Sequence, residues 1–176
     1  MATKKGIAVT VVILAAITAA SFLVWLIPQN IENKIIISDF EAHLDNTKEI
    51  QFTLQTEVDQ EFQNMLNEKI TPKEYIEIAE ISSSQVNSQI IQLVESKAPE
   101  EWRESYLNYI ESLKKFNSQI RETVVVATIM SEDNESNEIQ GILEKIDSLR
   151  KDSESLVIAS DNTRPYDFTL EQNSNN

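Results

Sequence analysis

From Gly6 to Ile27 the chain reads GIAVTVVILAAITAASFLVWLI, with no charged residue, and Pro28 follows at once. Every face of the helix this run would form is apolar, so a water-facing surface helix is ruled out. A helix rises about 1.5 Å per residue and a hydrocarbon core is about 30 Å thick, so roughly 20 apolar residues cross it. Gly6–Ile27 meets that length. Its polar side chains, Thr10, Thr18 and Ser21, can each bond back to a carbonyl one turn earlier. The run therefore reads as a transmembrane signal anchor, with residues 1–5 as a short cytoplasmic N-terminus. Lys4 and Lys5 precede it, and positive flanks are held in the cytoplasm, so everything after Pro28 is expected outside. Trp25 then falls near the outer boundary, where amphipathic rings concentrate. The competing possibility is a signal peptide cleaved among Thr18, Ala19, Ala20 and Ser21, and the unbroken run exceeds the roughly 7–15 residues of a signal h-region.

Within the span, Ala15 with Ala19 and Ala16 with Ala20 repeat a small-xxx-small spacing that lets two membrane helices approach closely. A homodimer through this face is one expectation, and lipid-facing alanine is the other.

Beyond the span the chain is long enough for one compact domain with its own core. Two of the 15 basic residues precede the span and all 29 acids come after it, which leaves 13 bases against 29 acids, a net charge of −16 outside. Nucleic acid is excluded as a partner on that balance, because its binding relies on cations that neutralise phosphate. Cations and basic proteins suit it better. The chain has no cysteine, so neither disulfides nor zinc–thiolate sites are available. With two glycines in the whole chain, tight hairpins are hard to place, which disfavours a β-rich fold.

Residues 28–37 are expected to link the span to the domain, with Ile35, Ile36 and Ile37 as a short apolar run of open conformation. Ser38 and Glu41 form a capping box that predicts a first helix running to about Lys69, continuous helix from Ile31 being the alternative. Its heptad-like, coiled-coil-style stripe is Ile37, Phe40, Leu44, Thr47, Gln51, Leu54, Val58, Glu61 or Phe62, and Met65. Thr71-Pro72-Lys73-Glu74 is the clearest start signal in the chain and opens a second helix, ending before Pro99. Its inward stripe is Tyr75, Ala79, Ser82, Val86, Gln89 or Ile90, and Leu93. Pro99, Glu100 and Glu101 start a third, whose stripe runs through Trp102, Tyr106, Tyr109, Leu113, Phe116, Ile120, Val124, Ala127 and Met130. Aromatics at helical spacing are read as core rather than as a ligand box. The β-branched run Val124–Val126 is the one point where strand competes.

Ser131–Glu138 is acidic and polar and reads as a loop. Within it Asn134-Glu135-Ser136 is an acceptor tripeptide, which makes Asn134 a candidate glycosylation site. The spacing of its acids and the lack of a turn glycine do not match a calcium-binding EF-hand. A fourth helix runs from there to about Ser160, with Ile139, Ile142, Leu143, Ile146, Leu149, Leu156 and Val157 inward and Lys145, Arg150 and Lys151 outward. Residues 161–176 are expected to form a polar, largely mobile tail. The predicted fold is thus all-α: one transmembrane helix, then an antiparallel bundle of about four helices over residues 38–160.

The bundle carries little chemistry. A di-iron bundle site needs Glu-x-x-His on two helices, whereas the single histidine, His43, has Phe40 at the required position. One histidine and no cysteine leave no ordinary nucleophile–base pair, and the glycine content excludes phosphate loops. No catalytic, cofactor-binding or metal residue is therefore assigned.

The Lys-flanked anchor at residues 4–27 followed by a helical exported domain looks like the four-helix ligand-binding ectodomains of bacterial chemoreceptors. Those receptors add a second span and a cytoplasmic signalling region, so this chain, ending outside, is expected to report only through a partner. The anchor VTVVILAAITAASFLVWLIPQN and the Ile-, Asn-, Ser- and Glu-rich, Cys-free style also resemble N-terminally anchored envelope proteins of ammonia-oxidising archaea. That resemblance implies no site residue. The expected function is a single-pass, non-enzymatic interaction or scaffold protein, or an accessory subunit of an envelope complex. The alternative is a ligand- or ion-binding ectodomain working with a separate signalling partner. An extracytoplasmic hydrolase is a third possibility, without a motif behind it.

Overall fold

The computed structural model describes residues 39–132 and 137–165, and within them the chain forms four helices. These are α1 (Phe40–Leu66), α2 (Pro72–Glu95), α3 (Glu100–Ser131) and α4 (Asn137–Asn162). The fold is all-α and packs as a helical bundle. Among the described residues no helix is long and apolar enough to cross a membrane. The expected span at Gly6–Ile27, with Ala15, Ala16, Ala19 and Ala20, lies outside the described residues. So do the 28–37 linker, Asn134 and residues 166–176.

The helix ends obey local chemistry. Asp39, one residue later than the expected Ser38, caps α1 by accepting from the Ala42 amide at 2.9 Å. An aspartate caps as well as a serine, and its charge suits the positive end of the helix dipole. The α2 capping box forms as its sequence requires: the Glu74 amide donates to Thr71 Oγ1 at 3.2 Å, and the Thr71 amide donates to Glu74 Oε2 at 2.8 Å. Those bonds hold the Glu74 carboxyl below the usual carboxylate range. Pro99 takes the N-cap position of α3 rather than the first helical one, without a side-chain bond of its own.

α1 stops at Leu66 rather than near Lys69 because the chain turns left-handed at Glu68, with φ 57. The Lys69 amide reaches back to Asn64 O at 2.8 Å and the Glu68 amide to Met65 O at 3.0 Å, a Schellman closure. Lys97, φ 51, takes the equivalent place after α2. Glycine normally occupies such positions, since a Cβ there costs about 1–2 kcal/mol. Glu68→Gly and Lys97→Gly are each expected to stabilise the domain by about 0.5–1 kcal/mol, after the extra chain entropy of glycine is subtracted. A rise in thermal midpoint would show this, and a fall would mean the left-handed turns do not persist in solution.

α3 lies against all three other helices, and its closest neighbour is α4. Ser105 meets Ser160 and Ser112 meets Ser153, so α3 and α4 run antiparallel. Tyr75 donates to Thr123 at 2.6 Å and Ser83 to Asn117 at 2.6 Å, which sets α2 antiparallel to α3 as well. The core is a continuous column from Leu44, Val58 and Met65 of α1 through Tyr75 and Val86 of α2 to Tyr109, Leu113, Phe116 and Ile120 of α3. Burying each large side chain there contributes about 1.5–3 kcal/mol.

α4 turns its expected stripe inward and encloses two serines that the stripe left out. Of the apolar positions, Ile146 is buried and Ile139, Ile142, Leu143 and Val157 are half-buried, while Ser153 and Ser160 are fully enclosed. Small residues at seven-residue spacing let the α3 and α4 backbones approach until hydroxyls reach carbonyls. Ser105 Oγ donates to Ser160 O at 2.8 Å, and Ser153 Oγ donates to Ser112 O at 3.0 Å.

Candidate interaction surface

α1 and α4 face each other across the bundle without backbone approach, and no Cα pair between them lies within 8 Å. Long polar side chains bridge the interval. Lys48 of α1 pairs with Asp161 of α4, and Arg150 Nη2 donates to Asp59 Oδ1 at 2.5 Å. Gln119 Nε2 of α3 donates to the same oxygen at 3.3 Å. Arg150, expected to face outward, is thus turned in toward α1. Burial raises the Asp59 carboxyl, aided by nearby Glu154, while the Arg150 guanidinium pulls it back. Burial likewise lowers the Lys48 ammonium, against the support of Asp161.

The start of the expected mobile tail is held by the same logic. α4 runs two residues past Ser160, and beyond it Arg164 pairs with Asp45, Glu41 and Asp161. A planar guanidinium can engage several carboxylates at once, and the acid-rich start of α1 supplies them.

His43 is held by Tyr106. The Tyr106 hydroxyl donates to Phe40 O at 2.9 Å, so across the 3.0 Å contact it accepts, and His43 Nδ1 carries the proton. Partial burial lowers the His43 pKa, and the imidazole serves as a structural donor to Tyr106. Among the described residues no three His, Cys, Asp or Glu side chains converge as a metal set.

The second feature is a surface. Ile50 is 51% exposed and Ile81 61% exposed, and a furrow of about 520 Å³ passes between α1 and α2 beside Ile50. It continues past Gln85 onto the α2 surface at Glu77, Glu80 and Ile81. Ile91 and Val94 extend the exposed apolar side chains along α2. Lys48 and Lys73 are the only lysines or arginines of these two helices, and Lys48 is committed to Asp161. Glu49, Glu57, Glu77 and Glu80 make no ion pair among the described residues. Most basic side chains of α3 and α4, by contrast, find carboxylates, as Lys114 does with Glu111, Lys115 with Asp152 and Lys145 with Glu122.

The sequence pattern placed α1 and α2 correctly but did not mark this surface. Ile50, Ile81 and Ile91 fall off the inward stripes, and an isolated exposed isoleucine is unremarkable. Only the pairing of α1 with α2 sets Ile50 and Ile81 on either side of Gln85. Comparison of the chain with protein-family models, with curated proteins and with solved structures found no match.

Proposed function

We propose that this chain is a non-enzymatic, membrane-anchored interaction protein whose acidic helical domain stands outside the membrane and docks a basic partner protein through its α1–α2 face. Gly6–Ile27 is the single-pass anchor, with the N-terminus inside. The observation that carries this function is the set of protruding isoleucines, Ile50 and Ile81, among carboxylates that form no ion pair among the described residues. Apolar contacts supply the binding energy of such a surface, and the acids select the partner by charge. A second copy of this face is a poor occupant, since like charges oppose each other. The lone histidine serves Tyr106. A scaffold or accessory subunit of an envelope complex fits these features.

The test is affinity isolation of the full chain from native membranes, with co-purifying proteins identified, alongside Ile81→Asp and the double variant Glu49→Lys, Glu80→Lys. A basic protein recovered with the natural chain and lost with both variants supports docking at this face. Equal recovery with the variants, or migration of the natural chain alone, overturns it. All three positions are exposed, so loss of folding does not confuse the result.

The ligand-binding alternative is favoured by one separate observation, the groove between α1 and α4.

A further inference from the structure

We infer that the α1–α4 groove seats the chain's own tail, residues Tyr166–Glu171, laid along it in extended form. The inference is independent of the α1–α2 face, and it gives the groove an occupant other than a diffusible ligand. Because α1 and α4 are bridged only by long side chains, a groove of about 580 Å³ stays open between them. Its rim is apolar: Phe52 is 73% exposed and Ile158 61% exposed, with Val157 beside them. Phe52 faces water in a domain whose other described aromatic rings are all buried or half-buried. Large apolar side chains bared together on adjoining helices mark a docking surface.

The described chain ends at the mouth of this groove. Asp45, Lys48, Phe52 and Asp59 recur along one side of α1 at steps that keep them on a common face, and the last three line the groove. On α4, Asp161 continues the wall of Arg150, Glu154, Val157 and Ile158 in the same way. Arg164 is gripped by Asp45 and Asp161 together, where the two walls finish. Pro165 follows, and its ring prevents the helix from continuing and favours an extended path. From Asp45 to Asp59 the α1 wall is about 21 Å long at about 1.5 Å per residue. The segment Tyr166–Glu171 spans about 20 Å when extended. It therefore reaches from Arg164 along the whole groove.

The tail has the pattern such a seat requires. Tyr166-Asp167-Phe168-Thr169-Leu170-Glu171 alternates apolar and polar residues. In an extended chain Tyr166, Phe168 and Leu170 share one side and can cover Phe52, Val157 and Ile158, while Asp167, Thr169 and Glu171 face water. A helix would set Phe168 opposite the other two. Charge makes the same choice. Residues 166–176 hold two acids, Asp167 and Glu171, and no base. The α1–α2 furrow is lined by Glu49 and Glu57 without a cation and repels such a segment, whereas Lys48 and Arg150 balance Asp59 and Glu154 in the α1–α4 groove. A segment tethered at the groove's end also meets it at an effective concentration on the order of millimolar, which favours it over a free competitor.

The chain has no cysteine, so a single introduced thiol reports on the groove without background. Thr56→Cys lies in the groove lining and Thr53→Cys on the far side of α1 beside Ile50, and both positions are exposed, so the helix tolerates each change. Each variant, as full chain in detergent, is treated with N-ethylmaleimide, once with the natural tail and once with Tyr166→Ser, Phe168→Ser and Leu170→Ser combined. The natural tail is expected to slow modification of Thr56→Cys by about tenfold relative to the substituted tail, and to leave Thr53→Cys unchanged. The slowing is expected to survive about fiftyfold dilution, as a contact within one chain requires. Equal rates at Thr56→Cys with the two tails overturn the inference, as does equal slowing at Thr53→Cys. Slowing that disappears on dilution overturns it in favour of a second copy in the groove. Slow modification that persists with the substituted tail overturns it in favour of an occupant from outside the tail.

Discussion

Replacing Ser153 by leucine is expected to lower the unfolding free energy by about 3 kcal/mol, a large share of the roughly 5–15 kcal/mol that holds a domain of this kind. Ser153 is 3% exposed, and its Oγ lies 3.0 Å from both Ser112 O and Ser112 Oγ across the α3–α4 junction. The added carbons have nowhere to go except into the backbone of the neighbouring helix. Either the helices separate, which breaks the Ser105–Ser160 contact one helical interval away, or leucine adopts a strained rotamer. Ser153→Ala nearly keeps the volume and removes one shared hydroxyl, so its cost is expected near ~1 kcal/mol. Urea unfolding of the two variants measures the contrast. If leucine proved no worse than alanine, the close approach of α3 and α4 would be wrong.

That junction also marks where the sequence stops being legible. The α2 stripe Tyr75, Ala79, Ser82, Val86, Gln89 and Leu93 is buried as its period requires, polar members included. On α1, Leu44, Thr47, Gln51, Leu54, Val58, Phe62 and Met65 obey the same rule. Both helices bury one face, so a single period describes them. α3 touches three neighbours, and a period-based stripe understates it: Ser105, Ser112, Asn117, Gln119 and Thr123 are buried beside the aromatics. Hydropathy assigns those residues to water, yet small hydroxyls are what permit backbones to meet, and Ser105, Ser112 and Thr123 each find a partner across the junction or in their own helix. On α4 the inward stripe is buried or half-buried as expected, and the same effect adds Ser153 and Ser160, which are enclosed where Leu156 is only half-buried.

The candidate surfaces were less legible for a different reason. The −16 net charge of residues 28–176 is visible in composition, but its sorting is not. Most cations on α3 and α4 find carboxylates one turn away or across a helix pair, whereas α1 and α2 lack cations to spare. The polar cluster beside the α1–α4 groove joins Asp59, Gln119 and Arg150, residues from three helices whose convergence no local pattern encodes.

Tyr109→Phe is expected to stabilise the domain by about 1–2 kcal/mol, although it removes a polar group from a helix centre. Tyr109 is fully buried, and its hydroxyl has no hydrogen-bond partner. Burial pushes its ionisation well above the ordinary tyrosine value, so the group stays neutral and its desolvation is uncompensated. Phenylalanine keeps the ring, including the face over which Lys48 Nζ sits 5.6 Å from the centroid. Tyr75 is the internal control. It is as deeply buried, but its hydroxyl donates to Thr123 Oγ1 at 2.6 Å, so Tyr75→Phe loses a made bond and is expected to cost about 1 kcal/mol. The two substitutions delete the same atom from the same core and should shift the urea midpoint in opposite directions. A loss of stability in Tyr109→Phe equal to that in Tyr75→Phe would show that the Tyr109 hydroxyl is satisfied in solution, most simply by an enclosed water.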